Sequence, residues 1–437
     1  MTARCARSFS ADSRGSISIL MVMSLTVLIG AAALGVEVSA WFMMRHNLQN
    51  AADTAAIAAS MNGRSNYDTE AKAVTALYGL VDGTDGVTVT PSNTAACPTG
   101  GANCYSVTIT QAALLFLAPV IGYTGNVVVN GQNGVALGAM SVVSPATQYC
   151  ILALGKTGAE GILTNGAPKA NLSGCNVMSN TSSTCHGSNL QADIGNAHTT
   201  NTNCGTISNS NMPIVPDPYA QLATQIPPNN CLAYPQEPSK NGIPLPSSNL
   251  LSGSLLQAGS TLQLGTQTVC GDLQLTSDVT LSGPGSTLLV IVNGRLDLNG
   301  YTLKTAPGAS ITVVFTGSNS ANYIQTPTGS GTLDITAPTS GPWAGVAIYQ
   351  DPKLTISSAI DIAAAGNSPT WDITGLVYLP NAYVLFSGAV NKSSNGNSCF
   401  VLVVDHLRFN GTGSILSHGG CASAGLVMPV SRPSLLN

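Results

Sequence analysis

Apolar positions run without interruption from Ile17 to Phe42, and no helix breaker follows until Gly63. Ile17–Trp41 makes about 37 Å of helix at 1.5 Å per residue, longer than the ~30 Å hydrocarbon core, so the segment is expected to span a bilayer with some tilt. Arg4, Arg7 and Arg14 precede the run and only Arg45 follows closely. That asymmetry predicts a cytoplasmic N-terminus and places the chain from about residue 43 onward outside. Trp41 falls where an interfacial aromatic anchor sits. Glu37 is the one acid in the run. It either reaches water from one turn inside the outer interface or meets a helix partner. A signal peptide cut after Val38-Ser39-Ala40 is the rival reading, but the run exceeds the usual 7–15-residue signal core. A prepilin-type cut after Gly15 is disfavoured, because Leu20 stands where such motifs want Glu.

Beyond the anchor, Tyr67, Ala71, Val74 and Tyr78 fall at helical spacing and predict a helix over 66–80. Val87–Thr90, Tyr105–Thr110, Asn126–Asn130 and Val135–Val143 read as strands. Ala112–Ile121 is strongly apolar, too short to span a bilayer, and is expected to be a buried helix packed on those strands. From Cys150 the texture changes to apolar–polar–apolar triplets between Gly, Asn and Ser turns, such as Leu273-Gln-Leu275, Val279-Thr-Leu281, Leu296-Asp-Leu298 and Leu333-Asp-Ile335. Leu262, Val279 and Leu296 recur every 17 residues. Short strands with turn residues at each corner fit a parallel β-helix, with a β-sandwich as the alternative. The fold class expected is therefore mainly β: a single N-terminal transmembrane helix, a small α+β membrane-proximal domain, then a parallel β-helix-like solenoid. The boundaries expected are a cytoplasmic N-terminus (1–16), the transmembrane helix (17–42), an Ala-rich helical continuation (43–61), the α+β domain (62–146) and a first solenoid part (147–208). A Pro-rich linker or insert (209–250), with nine prolines between Pro213 and Pro246, precedes the main solenoid part (251–437).

Only 8 % of residues are charged, against a typical ~25 %, yet 44 % are hydrophobic, which excludes a disordered polyelectrolyte. The net charge is −4 and no basic cluster lies beyond the first 16 residues, so nucleic-acid binding is excluded as a function class. Cys5 falls on the cytoplasmic side. The other ten cysteines lie outside, where an even count implies a disulfide framework. Sequence neighbours suggest Cys97–Cys104, Cys150–Cys175, Cys185–Cys204, Cys231–Cys270 and Cys399–Cys421, although sequence alone leaves connectivity open. Each closed loop of tens of residues would contribute about 3–4 kcal/mol.

Catalytic motifs are sparse. Gly155-Lys156-Thr157 resembles the tail of a phosphate loop, but Cys150 replaces the required glycine and no helix pattern follows. Nucleophile elbows, zinc-protease helices and Cys-x-x-Cys pairs are absent. Cys185-His186, His198 and Cys204 read better as a disulfide with two exposed histidines than as a zinc site. Asp405-His406 with His418 is equally thin. The acids Asp272, Asp278, Asp297, Asp334, Asp351, Asp361 and Asp372 are scattered singly. Arg295 and Asp297 share a strand face and suggest a surface ion pair worth under ~1 kcal/mol. No catalytic residue, metal or cofactor is expected.

Arg14-Gly15, Glu37, Trp41, Arg45 and the run Leu48-Gln49-x-Ala51-Ala52-Asp53-x-Ala55-Ala56 together resemble the N-terminal segment of TadE/TadG-like proteins of the Tad (tight adherence) Flp-pilus assembly systems. The resemblance covers roughly residues 14–60. The family usually has Asp in place of Glu37. Some larger members carry a von Willebrand factor type A domain, whose Asp-x-Ser-x-Ser metal motif is missing here. The stretches 375–381 and 399–411 look like the closing coils of solenoid-bearing Tad-like proteins. The resemblance implies a non-enzymatic, membrane-anchored assembly protein of the bacterial envelope, in the inner membrane with most of the chain periplasmic or extracellular. Its partners would be the bilayer, other pilus-assembly membrane proteins met through the Ala-rich continuation, and surface glycans. The alternative is an exported β-helix that binds or cleaves polysaccharide.

Overall fold

The computed structural model describes residues 14–61, 66–97, 104–129, 131–144, 147–158, 160–166, 172–228, 231, 250–255, 265–317, 331–354, 360–364, 371–388, 399–410, 421, 425–431 and 433–436. The chain divides into two units, Met1–Ala146 with Pro433–Asn437, and Thr147–Arg432.

In the first unit, the apolar run and its Ala-rich continuation form one helix, α1 (Arg14–Met61). Among the described residues it is the one helix long and apolar enough to cross a membrane. Its two halves meet different surroundings. Met21, Leu28, Val36 and Phe42 are exposed, whereas Leu48, Ala51, Ala52, Ala55, Ala56 and Ala59 are at most 1 % exposed. Those six recur at helical spacing and make one stripe. Their small side chains let the helix lie close on an antiparallel sheet of β1 (Thr88–Ala95), β2 (Cys104–Leu114), β3 (Val127–Val129) and β4 (Gln132–Ser144), where Val89, Val107, Ile109 and Val143 face the stripe. A second helix, α2 (Tyr67–Leu77), packs beside it. The Ala-rich face is thus consumed by the chain's own sheet, which corrects the expectation that it meets partner helices. The chain returns at its end to pair Ser434–Leu435 with β4, so the C-terminal boundary also differs from the expected one.

Ala112–Ile121 is not a buried helix. Strand β2 continues through Leu114, pairing to Gly134, and only Ala118–Ile121 forms a 3-10 turn. A short apolar run fits strand and helix templates equally, and pairing to β4 decides it.

The second unit is a parallel solenoid in which every strand pairing among the described residues is parallel. Interior side chains stack in register. Leu289 pairs with Val313, and the column continues through Ile348, Val377, Leu402, Ile151 and Val177, all at most 1 % exposed. The step from Leu402 to Ile151 means that the first strands in sequence stack on the last. The parts before and after the Pro-rich segment are therefore one stack, and the chain enters and leaves it on neighbouring rungs. The 17-residue recurrence is not the rung length: Leu273 pairs with Leu296 and Val279 with Leu303, while Leu262 lies outside the described residues. Hydrogen bonds between adjacent rungs span 23 and 24 residues.

The Pro-rich stretch is more than a linker where it is described. Residues 212–226 lie over the outer face of the solenoid, where Val290, Val314, Tyr349, Tyr378, Val403, Leu152 and Met178 form a second in-register column. Val215 and Tyr219 cover that column. Val215 exchanges two 2.8 Å hydrogen bonds with the Asn180 side chain, and Tyr378 Oη donates to Asp217 at 2.7 Å. Pro213, Pro216 and Pro218 suit a strap that crosses strands without pairing to them, because proline carries no N–H to leave unsatisfied. Burial on both faces explains why strands such as Val346–Gln350 are continuously buried rather than alternating.

Candidate functional site

The distinctive chemistry of the first unit sits where its apolar helix meets the loop after β2. Leu114 ends the strand, Leu115 still donates to the Asn133 carbonyl at 3.0 Å, and the N–H groups from Phe116 onward need acceptors from elsewhere. Glu37 supplies them. Its carboxylate accepts the N–H of Phe116 at 2.8 Å, Leu117 at 3.0 Å and Ala118 at 2.7 Å, and the residue is 6 % exposed. These are charge-assisted bonds at the start of the 3-10 turn, where backbone N–H groups converge on an anion. Glu37 thus neither reaches water nor waits for another chain, and its partner is the loop. One turn on, the Trp41 ring lies 6.4 Å from that of Tyr123. Arg45 and His46 are exposed at the next turn.

The remaining residues of the motif are structural. Leu48, Ala51, Ala52, Ala55 and Ala56 form the buried stripe. Gln49 donates to Asp53 at 2.7 Å and to the Met140 carbonyl at 3.3 Å, tying the helix to β4. Arg14 and Gly15 begin α1. Periodicity marked the stripe, but nothing local in the sequence marked residues 116–118 as the partner of Glu37.

Five disulfides join Cys97–Cys104, Cys150–Cys175, Cys185–Cys204, Cys231–Cys270 and Cys399–Cys421, which are the sequence-neighbour pairs. Cys185 and Cys204 are therefore not thiolate ligands, and His198 Nδ1 lies 2.9 Å from the Met212 carbonyl. No group of three or more His, Cys, Asp or Glu converges among the described residues. Asp405 and His406 pair at 2.7 Å, with His418 outside the described residues. Gly155, two residues past the strand Ile151–Ala153, sits against them, its N–H donating to the Asp405 carbonyl.

Arg295 does not pair with Asp297. Its Nε lies 3.1 Å from Asp272 Oδ2 and its backbone N–H donates to Oδ1 at 2.9 Å, with both side chains at most 9 % exposed. This is a buried inter-rung pair, not a surface one, and desolvation pushes the Asp272 carboxyl up despite the arginine. Asp297 instead accepts from Gln274 at 3.0 Å. Asp351 caps the nearby backbone N–H of Lys353, whereas Asp278 accepts the N–H of Thr302 on the adjacent rung. The side chain of Asp361 lies outside the described residues.

Residues 15–62 match the family model described as putative Flp pilus-assembly TadE/G-like. The N-terminal segment is thus a TadE/G-like element, tied to a role related to Flp-pilus assembly. No curated protein and no solved structure matches the chain.

Proposed function

We propose that this chain is a non-enzymatic, membrane-anchored structural component of Flp-pilus assembly, similar to TadG-like proteins. Its N-terminus is cytoplasmic, and the bulk of the chain lies on the outer side of the bacterial inner membrane. One observation carries the reading: the segment that matches the family model is both the apolar helix and the core helix of the first unit. Cleavage after Ala40 would remove Glu37 and leave the N–H groups of residues 116–118 without their acceptor, which favours a retained anchor over a signal peptide. Five disulfides suit an oxidising compartment.

In this reading the solenoid presents a weakly charged surface that scaffolds other pilus-assembly membrane proteins and contacts surface glycans. Deleting the gene and scoring both piliation and surface attachment tests it. Loss of pili, restored by the full chain, is expected; normal pili and attachment would overturn it.

A further inference from the structure

We infer that the loop Phe116–Tyr123 is a second membrane contact, seated in the lipid beside α1 on the leaflet nearest the sheet of the first unit. The inference rests on the reading of α1 as a bilayer span and extends it to a part of the chain outside the matched residues 15–62.

Depth is the first argument. Glu37 lies within the apolar run, one turn before Trp41, and holds residues 116–118 at 3.0 Å or less. A bilayer that covers α1 as far as its interfacial tryptophan therefore reaches the loop as well. Exposure is the second. Phe116, Val120 and Ile121 are 76, 84 and 66 % exposed, beside Val36 at 70 % and Phe42 at 69 % on the helix. Large apolar side chains gathered in this way mark an interaction surface. Chemistry is the third. Residues 86–155 contain no Asp, Glu, Lys or Arg, so burying the loop in lipid desolvates no charge. The one nearby acid, Glu37, has its oxygens occupied by three N–H donors, which lowers the cost of a carboxylate at that depth. Trp41 and Tyr123 form an aromatic pair at the level expected of an interfacial belt, and Arg45 follows where headgroup phosphates lie. Between helix and loop runs an open, mostly apolar groove of about 430 Å³, lined by Val36, Trp41, Met44, Leu114 and Phe116 together with Glu37. Its apolar lining suits an acyl chain. Glu37 accepts the first three N–H groups of the loop, Val120, Gly122 and Tyr123 donate to the carbonyls of Leu117, Pro119 and Ala118, and the turn closes on Gly122, whose φ of +86° favours glycine.

The test places a tryptophan in the loop. The full chain carrying Val120→Trp is reconstituted in phosphatidylcholine–phosphatidylglycerol vesicles whose acyl chains are brominated close to the headgroup. Thr94→Trp, at the Cys97–Cys104 end of the β1–β2 hairpin and far along β2 from Leu114, is the control. Trp41→Phe measures the share of Trp41 against the background of Trp343 and Trp371. Emission added at position 120 is expected to be quenched as strongly as that of Trp41, and emission added at position 94 to be spared. If Trp41 is quenched but position 120 is spared like position 94, the loop contact is overturned while α1 stands as a span; a protein partner over the loop would give this result. If Trp41 itself is spared, the span reading fails and the loop contact fails with it. Ile121→Trp repeats the measurement where Val120→Trp does not fold.

Discussion

The carboxylate of Glu37 accepts the backbone N–H of Ala118 at 2.7 Å, across 81 positions of sequence. With the bonds to Phe116 and Leu117, it makes the apolar helix and the loop one body. Glu37→Ala removes the acceptor from three N–H groups, and the loop should open at a cost of about 2–4 kcal/mol. Amide exchange at residues 116–118 should then quicken by about a hundredfold, since each 1.4 kcal/mol is a factor of ten. Glu37→Gln should show a smaller effect, because the amide keeps one acceptor oxygen and loses the charge. Unchanged exchange in both variants would contradict the tie.

The buried pair Asp272–Arg295 joins adjacent rungs. Asp272→Ala takes the carboxylate away from the buried Arg295 and should destabilise the solenoid by about 3 kcal/mol in urea denaturation. Replacing both, as Asp272→Leu with Arg295→Met, should cost less than the two single changes added together, because neither charge is then buried without the opposite charge beside it. Additive losses would contradict that account.

Burial, then the charge of Asp217, pushes the phenols of Tyr349, Tyr378 and Tyr219 up from the usual 10. The sign follows from linkage. Below pH 10 both folded and unfolded chains keep these protons, and the stabilisation is fully present. As pH rises above 10, the unfolded chain ionises its tyrosines while the folded chain holds these three, so stability falls by about 1.4 kcal/mol per pH unit per group. Near-ultraviolet titration should show these three of the 12 tyrosines silent until the solenoid unfolds. Tyr219→Ala uncovers Tyr378, and should let it ionise at lower pH.

The seam between the last strands and the first is a packing claim that mutations can read. Ile151 and Leu402 are paired and fully buried, so Ile151→Ala and Leu402→Ala should each cost about 2–4 kcal/mol. Because the residues touch, the double variant should depart from additivity by about 0.5–3 kcal/mol. Strict additivity would place them on separate bodies.

The parts of the fold that are local in sequence were legible. Alternating triplets identified a parallel β-helix because each strand is written in consecutive residues. Neighbouring cysteines meet for a related reason: one rung returns the chain to the same corner, and the separations of 25, 19 and 22 residues at Cys150–Cys175, Cys185–Cys204 and Cys399–Cys421 are each about one rung. What stayed hidden is non-local. The seam joins Leu402 to Ile151, and the strap is apolar at Val215 and Tyr219 only because it lies over strands far along the chain. At the candidate site, the acid in the apolar run stood out, but its partners are N–H groups, which every residue except proline carries. Position 116 therefore looked like any other. Ala112–Ile121 misled for the opposite reason: an apolar run shows the same pattern whether it pairs as a strand or meets lipid.

The central claim is that one helix serves as both membrane span and core of the first unit, with the solenoid on the outer side. Its most direct test is the product made in cells, fused at its C-terminus to alkaline phosphatase and fractionated after alkaline extraction. The account predicts active phosphatase in the membrane pellet, on a chain whose mass still includes residues 17–40. A soluble product beginning at Trp41, or an inactive fusion, would contradict it.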